Sequence, residues 1–199
     1  MQKDTYYTIK AQTTSELKVL GSRFIGNTFP VSEKDEAESH INTIARAYHD
    51  ATHNPYAYKL LSDGDKIIRS SDDKEPQGTA GKPILMAIEK YELSNVVVIV
   101  TRYFGGKKLG KGGLARAYRD CADITLDNAQ KIQHQFYKKL SLRFPYDKTG
   151  LVMKIVTDCS GKIIEKASEE KFSLIVNIPL SNVERFNDKI NFLKIKNEI

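Results

Sequence analysis

Two stretches of the chain concentrate the residue types that do chemistry. The first, SDDKEPQGTAGKP (71–83), sets the carboxylates of Asp72, Asp73 and Glu75 close to the Thr79 hydroxyl. Carboxylates facing a hydroxyl can exchange protons or hold Mg²⁺. In an extended run Asp73 and Glu75 share one side and Asp72 takes the other. The plainer reading, which weighs more, is a structured loop whose acids cap the following helix and pair with a basic turn. Ser70, Ser71 and Thr79 lack the strained setting of a G-x-S-x-G nucleophile. The second stretch, TRYFGGKKLGKGG (101–113), spells G-x-x-x-x-G-K from Gly105 to Lys111, the first seven positions of a phosphate loop. Gly112 then stands where a Ser or Thr would ligate Mg²⁺, and TRYF separates the turn from its strand. Nucleoside triphosphate hydrolysis is therefore set aside.

Anion binding survives that test. Gly105, Gly106, Gly110, Gly112 and Gly113 permit close backbone approach, and a helix start adds partial positive charge. Arg102, Lys107, Lys108 and Lys111 supply full charges, while Tyr103 and Phe104 offer flat faces for stacking. Equally open is that the glycines only turn the strand, the aromatics pack and the lysines are solvated. Elsewhere the chemistry is thin. His49 and His53 sit at i, i+4 without an evident third ligand, so they read as solvated or capping residues, and no metal is expected. His40 and His134 read as surface residues. Cys121 and Cys159 are far apart and read as reduced core thiols. No cofactor is implied.

The elements that must position these groups follow from periodicity. TYYTIKA and SELKVLGSRFIGNTFPV alternate as strands. Ser32 opens a helix with Asp35 completing a Ser-x-x-Asp cap, and Ala37, Ile41, Ile44, Ala45 and Tyr48 form its core face. PYAYKLLS and KIIRSS flank DGD, a hairpin signal. Pro83 suits the first turn of the helix PILMAIEKYEL. NVVVIV is apolar without alternation, as in a strand covered on both faces. A helix from Gly113 to Gln130 presents Leu114, Ala117, Tyr118, Cys121 and Ile124 on one face, with Arg119 free to pair with Asp123. Around KIQHQ the pattern restarts as strand, helix, strand, strand, helix, a small split βαβ arrangement. The tyrosines Tyr6, Tyr7, Tyr56, Tyr58 and Tyr91 read as sheet packing. The boundary falls near residue 135, giving domains 1–135 and 136–199.

Composition sets outer limits. The chain has 199 residues, 40% hydrophobic and 28% charged, with a net charge of +6. No apolar run approaches the length of a membrane span, and the amino terminus has no secretory h-region, so a cytoplasmic protein with no membrane partner is expected. Six basic residues and no acid lie between Arg102 and Arg119 (Arg102, Lys107, Lys108, Lys111, Arg116 and Arg119), and residues 137–199 hold 12 basic against 8 acidic. The positive charge is local, as a polyanion-facing patch requires.

GSRFIG (21–26), SDDKEPQGTAGKPIL (71–85) and VVVIVTRYFGGKKLGKGGLARAY (96–118) occur in order and together resemble the IMPACT/YigZ family, two-domain bacterial type. The motifs cover about residues 15–130; the remainder is similar by pattern. The resemblance implies an α+β protein whose first domain has the fold of elongation factor G domain IV, the ribosomal-protein domain 2-like fold. It implies a ferredoxin-like split βαβ second domain, akin to that factor's domain V. Eukaryotic members regulate translation through the amino-acid-starvation kinase pathway with an additional amino-terminal domain, for which this chain has no room. Bacterial members resemble nucleic-acid or ribosome binders without an established reaction. Many carry a cysteine near the position of Pro55, so cysteine chemistry is not carried over.

Block by block, the resemblance implies a surface including Arg23, Asp72, Asp73, Glu75, Gly78, Thr79, Gly81, Arg102, Gly105, Gly106 and Tyr118. One of Asp72, Asp73 or Glu75 is expected to pair with Arg102 or Arg23, an Arg–carboxylate fork that steadies the basic loop. The expected anion or nucleic-acid contacts are Arg102, Gly105, Gly106, Lys107, Lys108, Lys111, Gly112, Gly113 and Arg116, with Arg23, Asp72, Asp73, Glu75 and Thr79 as loop support. The sequence thus reads as a non-catalytic protein that binds RNA or the ribosome in the regulation of translation. Held open beside it are a small-molecule enzyme, with a phosphorylated substrate between loops 71–83 and 101–113, and a module for a translation-related protein partner.

Overall fold

The computed structural model describes residues 5–62, 65–168, 172–195 and 197–198. The chain forms two compact units, one of Tyr7–Gln133 and one of Met1–Tyr6 with His134–Ile199. Strands β1 (Thr5–Ile9) and β7 (Lys131–Gln135) pair as a two-stranded sheet, and the division passes through both. KIQHQ is thus a strand.

The larger unit is built on a five-stranded antiparallel sheet. Its strands are β2 (Thr13–Val19), β3 (Ser22–Pro30), β4 (Tyr56–Ser62), β5 (Asp65–Ser71) and β6 (Val96–Tyr103), in the order β2-β3-β6-β4-β5. The turn expected from DGD between β4 and β5 falls at 63–64, outside the described residues. The central strand β6 is covered on both faces, as its unbroken apolar run requires. Val96, Val98 and Val100 face helices α2 (Gly81–Lys90) and α3 (Gly110–Asn128), while Val97 and Ile99 face helix α1 (Lys34–Ala47). The strand does not stop at Val100: Thr101, Arg102 and Tyr103 continue the ladder against Ile25, Phe24 and Arg23. TRY is therefore sheet, and the turn proper begins at Phe104.

Local details differ from the sequence reading in instructive ways. Helix α1 starts at Lys34, and the Ser32 amide and hydroxyl both donate to Glu36 Oε2 (2.7 and 2.9 Å). Glu36, not Asp35, takes both Ser32 groups, because with Glu33 at the N-cap it occupies the third helical position, from which a side chain reaches back over the helix start. Ala37, Ile41 and Ile44 of α1 are buried, with Tyr48 packed against them. On α3, Leu114, Ala117, Tyr118 and Cys121 are buried as expected, but Ile124 is 38% exposed and Ala122, Thr125 and Leu126 are buried instead. At 3.6 residues per turn, Ile124 lies roughly 100° from the centre of that face. Asp123 bonds Lys90 (2.9 Å) rather than Arg119.

In the smaller unit β8 (Tyr137–Phe144), α4 (Thr149–Asp158), β9 (Lys162–Ser168), β10 (Phe172–Pro179), α5 (Val183–Phe192) and β11 (Asn197–Glu198) form an antiparallel sheet ordered β11-β8-β10-β9. Leu140, Leu142, Phe144, Leu174, Val176 and Ile178 point to one face and pack on Val152, Val156, Phe186 and Ile190 of the two helices. Both cysteines are free thiols buried in separate cores. Burial pushes the Cys121 thiol up to about 12. Among the described residues no helix is long and apolar enough to cross a membrane.

Candidate functional site

The acidic loop, residues 72–80, is held by its own first carboxylate. Asp72 Oδ2 accepts the Gly78 amide (2.8 Å), and Oδ1 accepts the Ala80 and Gly81 amides (both 2.9 Å). Two of those amides begin helix α2, which has no other side-chain cap. Burial raises the Asp72 carboxyl, but the three amides outweigh it and hold it below the usual carboxylate range. The loop is not extended. Asp73 and Lys74 take left-handed backbone conformations (φ 43° and 68°), so Asp73 turns away from Glu75 and accepts the Asn54 amide at 2.6 Å. The Thr79 hydroxyl donates to the Pro76 carbonyl (2.6 Å). Asp73 and Glu75 do not face each other across Thr79, and the loop takes the plainer form, with Asp72 capping α2 and Glu75 pairing with Arg102.

Glu75 is the interior hub. Its side chain is 3% exposed, and Oε1 accepts both Arg102 Nη1 and the Tyr118 hydroxyl, each at 2.7 Å. Burial, then the bond to Glu75, raises the Tyr118 phenol far above its ordinary value, keeping it a neutral donor. His53 closes the group: Nδ1 lies 2.6 Å from the Asp73 carbonyl and Nε2 3.9 Å from Glu75 Oε2. An imidazole facing a carbonyl at that distance donates from Nδ1. His53 is thus a built-in member of this cluster, whereas His49 is exposed beside the Arg46 carbonyl. The reason is the bridge between His53 and Arg102, which draws the segment before β4 onto the end of β6. His40, read as a surface residue, is half-buried and stacks on Phe29 at 4.1 Å.

Arg102 does not join the exposed cations. Two-residue alternation carries it onto the same face as Val98 and Val100, opposite Phe24 in the β3 ladder, and its side chain is 8% exposed. Arg23 falls on the other face by the same alternation and pairs with Glu16 at 2.8 Å, so it gives no support to the acidic loop.

The turn between β6 and α3 remains solvent-facing. Lys107, Lys108, Lys111 and Arg116 are exposed, and none forms an ion pair among the described residues. Helix α3 starts at Gly110 with no side-chain cap and no acid in its first turn. The glycines divide by purpose. A Cβ on Gly105 would stand 1.9 Å from the Gly21 carbonyl carbon, so Gly105 lets two turns touch through their backbones. Its amide is already bonded to Ser22 Oγ (3.1 Å). A Cβ on Gly112, in contrast, would meet nothing within 4 Å. Tyr103 bonds Asp50 through its hydroxyl (2.7 Å), which leaves Phe104, 47% exposed, as the open aromatic of the turn.

Among the described residues no group of three or more His, Cys, Asp or Glu could hold a metal ion. The residues missed from sequence are His53, Asn54, which accepts the Thr101 hydroxyl (2.7 Å), and Thr52, whose hydroxyl accepts the Phe104 amide (3.1 Å). The one legible signal for this segment was its position before Pro55, where the backbone is held extended.

Comparison with known proteins places these features. Residues 20–126 match the model of the Impact N-terminal domain. The chain is 36% identical over 148 residues to the IMPACT family member YvyE of Bacillus subtilis, spanning 74% of this chain and 68% of that protein. To the IMPACT family member YigZ of Escherichia coli it is 28% identical over 181 residues, 90% and 89% of the two chains. The crystal structure of a hypothetical protein, 26% identical, superposes with a TM-score of 0.73 over 98% of this chain and 97% of the other. On the matched domain, and on a relative that shares it across most of its length, this chain belongs to the IMPACT family.

Proposed function

We propose that this protein is a non-catalytic RNA- or ribosome-binding factor in the regulation of translation, acting in the cytoplasm. The observation that carries the reading is the exposed, uncompensated set Lys107, Lys108, Lys111 and Arg116 around the uncapped start of α3. Backbone amides at a helix start favour anions, and unpaired cations beside them favour a phosphate backbone over an isolated charge. Gly112 supports it: a helical glycine costs roughly 1 kcal/mol against alanine, and no neighbour in the fold demands one there. The buried Glu75–Arg102 pair holds the far end of β6 and so the root of the turn.

The carboxylates of the enzymatic alternative are already engaged with amides, Arg102 and Tyr118, which favours the binding role. With it go finer proposals: domains 1–135 and 136–199, the first with the elongation factor G domain IV fold, the second ferredoxin-like. The β-α-β-β-α-β order of the smaller unit supports the last.

The test is a salt titration of binding to structured RNA. Four cations on phosphates predict a slope of log affinity on log salt of about −3 to −4, and changing Lys107, Lys108 and Lys111 together to Gln should reduce it to about −1. Unchanged affinity and slope in that triple variant would remove the proposal.

A further inference from the structure

Arg102 is surrounded by protein, its side chain 8% exposed. Its Cζ lies over the fully buried Phe24 ring, 5.6 Å from the ring centre, and over the half-exposed Phe104 ring at 5.4 Å. In the guanidinium plane, Nη1 is held by Glu75 at 2.7 Å. Nη1 is the nitrogen cis to Cδ, so the remaining edge, Nε–H beside the inner Nη2–H, points elsewhere. Nε is buried and has no hydrogen-bond partner, and the bond to Glu75 is the one this side chain donates among the described residues. A buried donor left unpaired costs about 1–3 kcal/mol, and such groups in native proteins call for a reason. The unpaired edge is the side-on fork with which arginine grips the two oxygens of a carboxylate or phosphate.

We propose that the Nε–Nη2 edge of Arg102 is a receptor for one oxyanion, a phosphate group, bound bidentately beside Phe104. Two rings lie against the guanidinium and a carboxylate holds one of its edges, so the ligand meets a held planar fork rather than a mobile cation. Glu75 neutralises one charge and leaves geometry to select the ligand. Phe104 is the side chain that yields: its ring is 47% exposed, whereas Phe24 is fixed in the core. The site deepens the polyanion reading, and it rests on that reading only for the source of the phosphate.

The experiment uses the full chain with ¹⁵N label and follows the arginine Nε–H signals during titration with inorganic phosphate, with chloride at matched ionic strength as control. The Arg102 signal should move saturably with phosphate and stay still with chloride. Phe104→Ala should lower the concentration at half-saturation. Arg102→Lys keeps the charge but has no planar edge, and should weaken phosphate binding at least about tenfold, read in both proteins from the backbone amides of Phe104 and Gly105; its fold is checked by the dispersion of its amide spectrum. Parallel titrations with a nucleoside monophosphate and a short single-stranded RNA separate a terminal phosphate from a backbone phosphodiester. A still Arg102 signal in both wild type and Phe104→Ala overturns the site. If RNA moves the amides of Lys107, Lys108 and Lys111 while neither inorganic phosphate, the monophosphate nor RNA moves this Nε–H, the site is overturned and the lysine surface stands.

Discussion

Replacing Glu75 by Gln isolates the charge at the centre of the larger unit. The substitution keeps shape and an acceptor oxygen but leaves Arg102, 8% exposed, without its counter-charge. Two hydrogen bonds end on Glu75 Oε1, from Arg102 and from Tyr118. Each falls from the charge-assisted to the neutral class, a loss of about 1 kcal/mol apiece. Full truncation of one partner in a buried pair costs about 3–5 kcal/mol, which bounds the effect from above. The expected destabilisation is therefore about 2–4 kcal/mol, read by urea unfolding followed by circular dichroism with an unchanged m value. Tyr118→Phe, which leaves its ring against Phe24, should cost about 1–2 kcal/mol. Because both donors share one oxygen, the double variant should be non-additive by about 1 kcal/mol or more. If Glu75→Gln unfolds within about 0.5 kcal/mol of wild type, Arg102 is not charge-paired inside the protein, and both the hub and the fork built on it fail.

Asp72 has a lowered folded-state pKa, so its contribution is present above the unfolded carboxylate value near pH 4 and is lost as pH falls through the folded value. Asp72→Asn should cost about 1–2 kcal/mol at neutral pH, and the gap to wild type should close in acid; a pH-independent gap would contradict the amide-held carboxylate. Gly105→Ala should unfold the larger unit or cost more than about 3 kcal/mol, since its Cβ overlaps the Gly21 backbone, whereas Gly112→Ala should stabilise by about 0.5–1 kcal/mol. Thermal melts of the two variants compare them directly. Neither Cys121 nor Cys159 should react with a thiol reagent at pH 8 until urea unfolds the chain, given that both are buried and the Cys121 thiol sits at about 12. Stoichiometric labelling of the native protein would show that the cores open.

Periodicity alone placed the strands and helices, because burial on one face, or on two for β6, writes itself into neighbouring residues. The same alternation, from Val98 and Val100 to Arg102, already places this arginine inside. The local charge run from Lys107 to Arg116 was equally legible, since solvated cations need no distant partner. What tertiary structure decided was which groups meet. Glu75 finds Arg102 27 residues away and Tyr118 43 away, and the glycines of two motifs meet where Gly105 lies against Gly21. A carboxylate's sequence neighbours do not report whether it will cap a helix, as Asp72 does, or enter the core, as Glu75 does. That depends on the left-handed turn at Asp73 and Lys74 and on the interior cation waiting for it. Pairing of buried charge is a long-range constraint, met only once the sheet and α3 have closed around it.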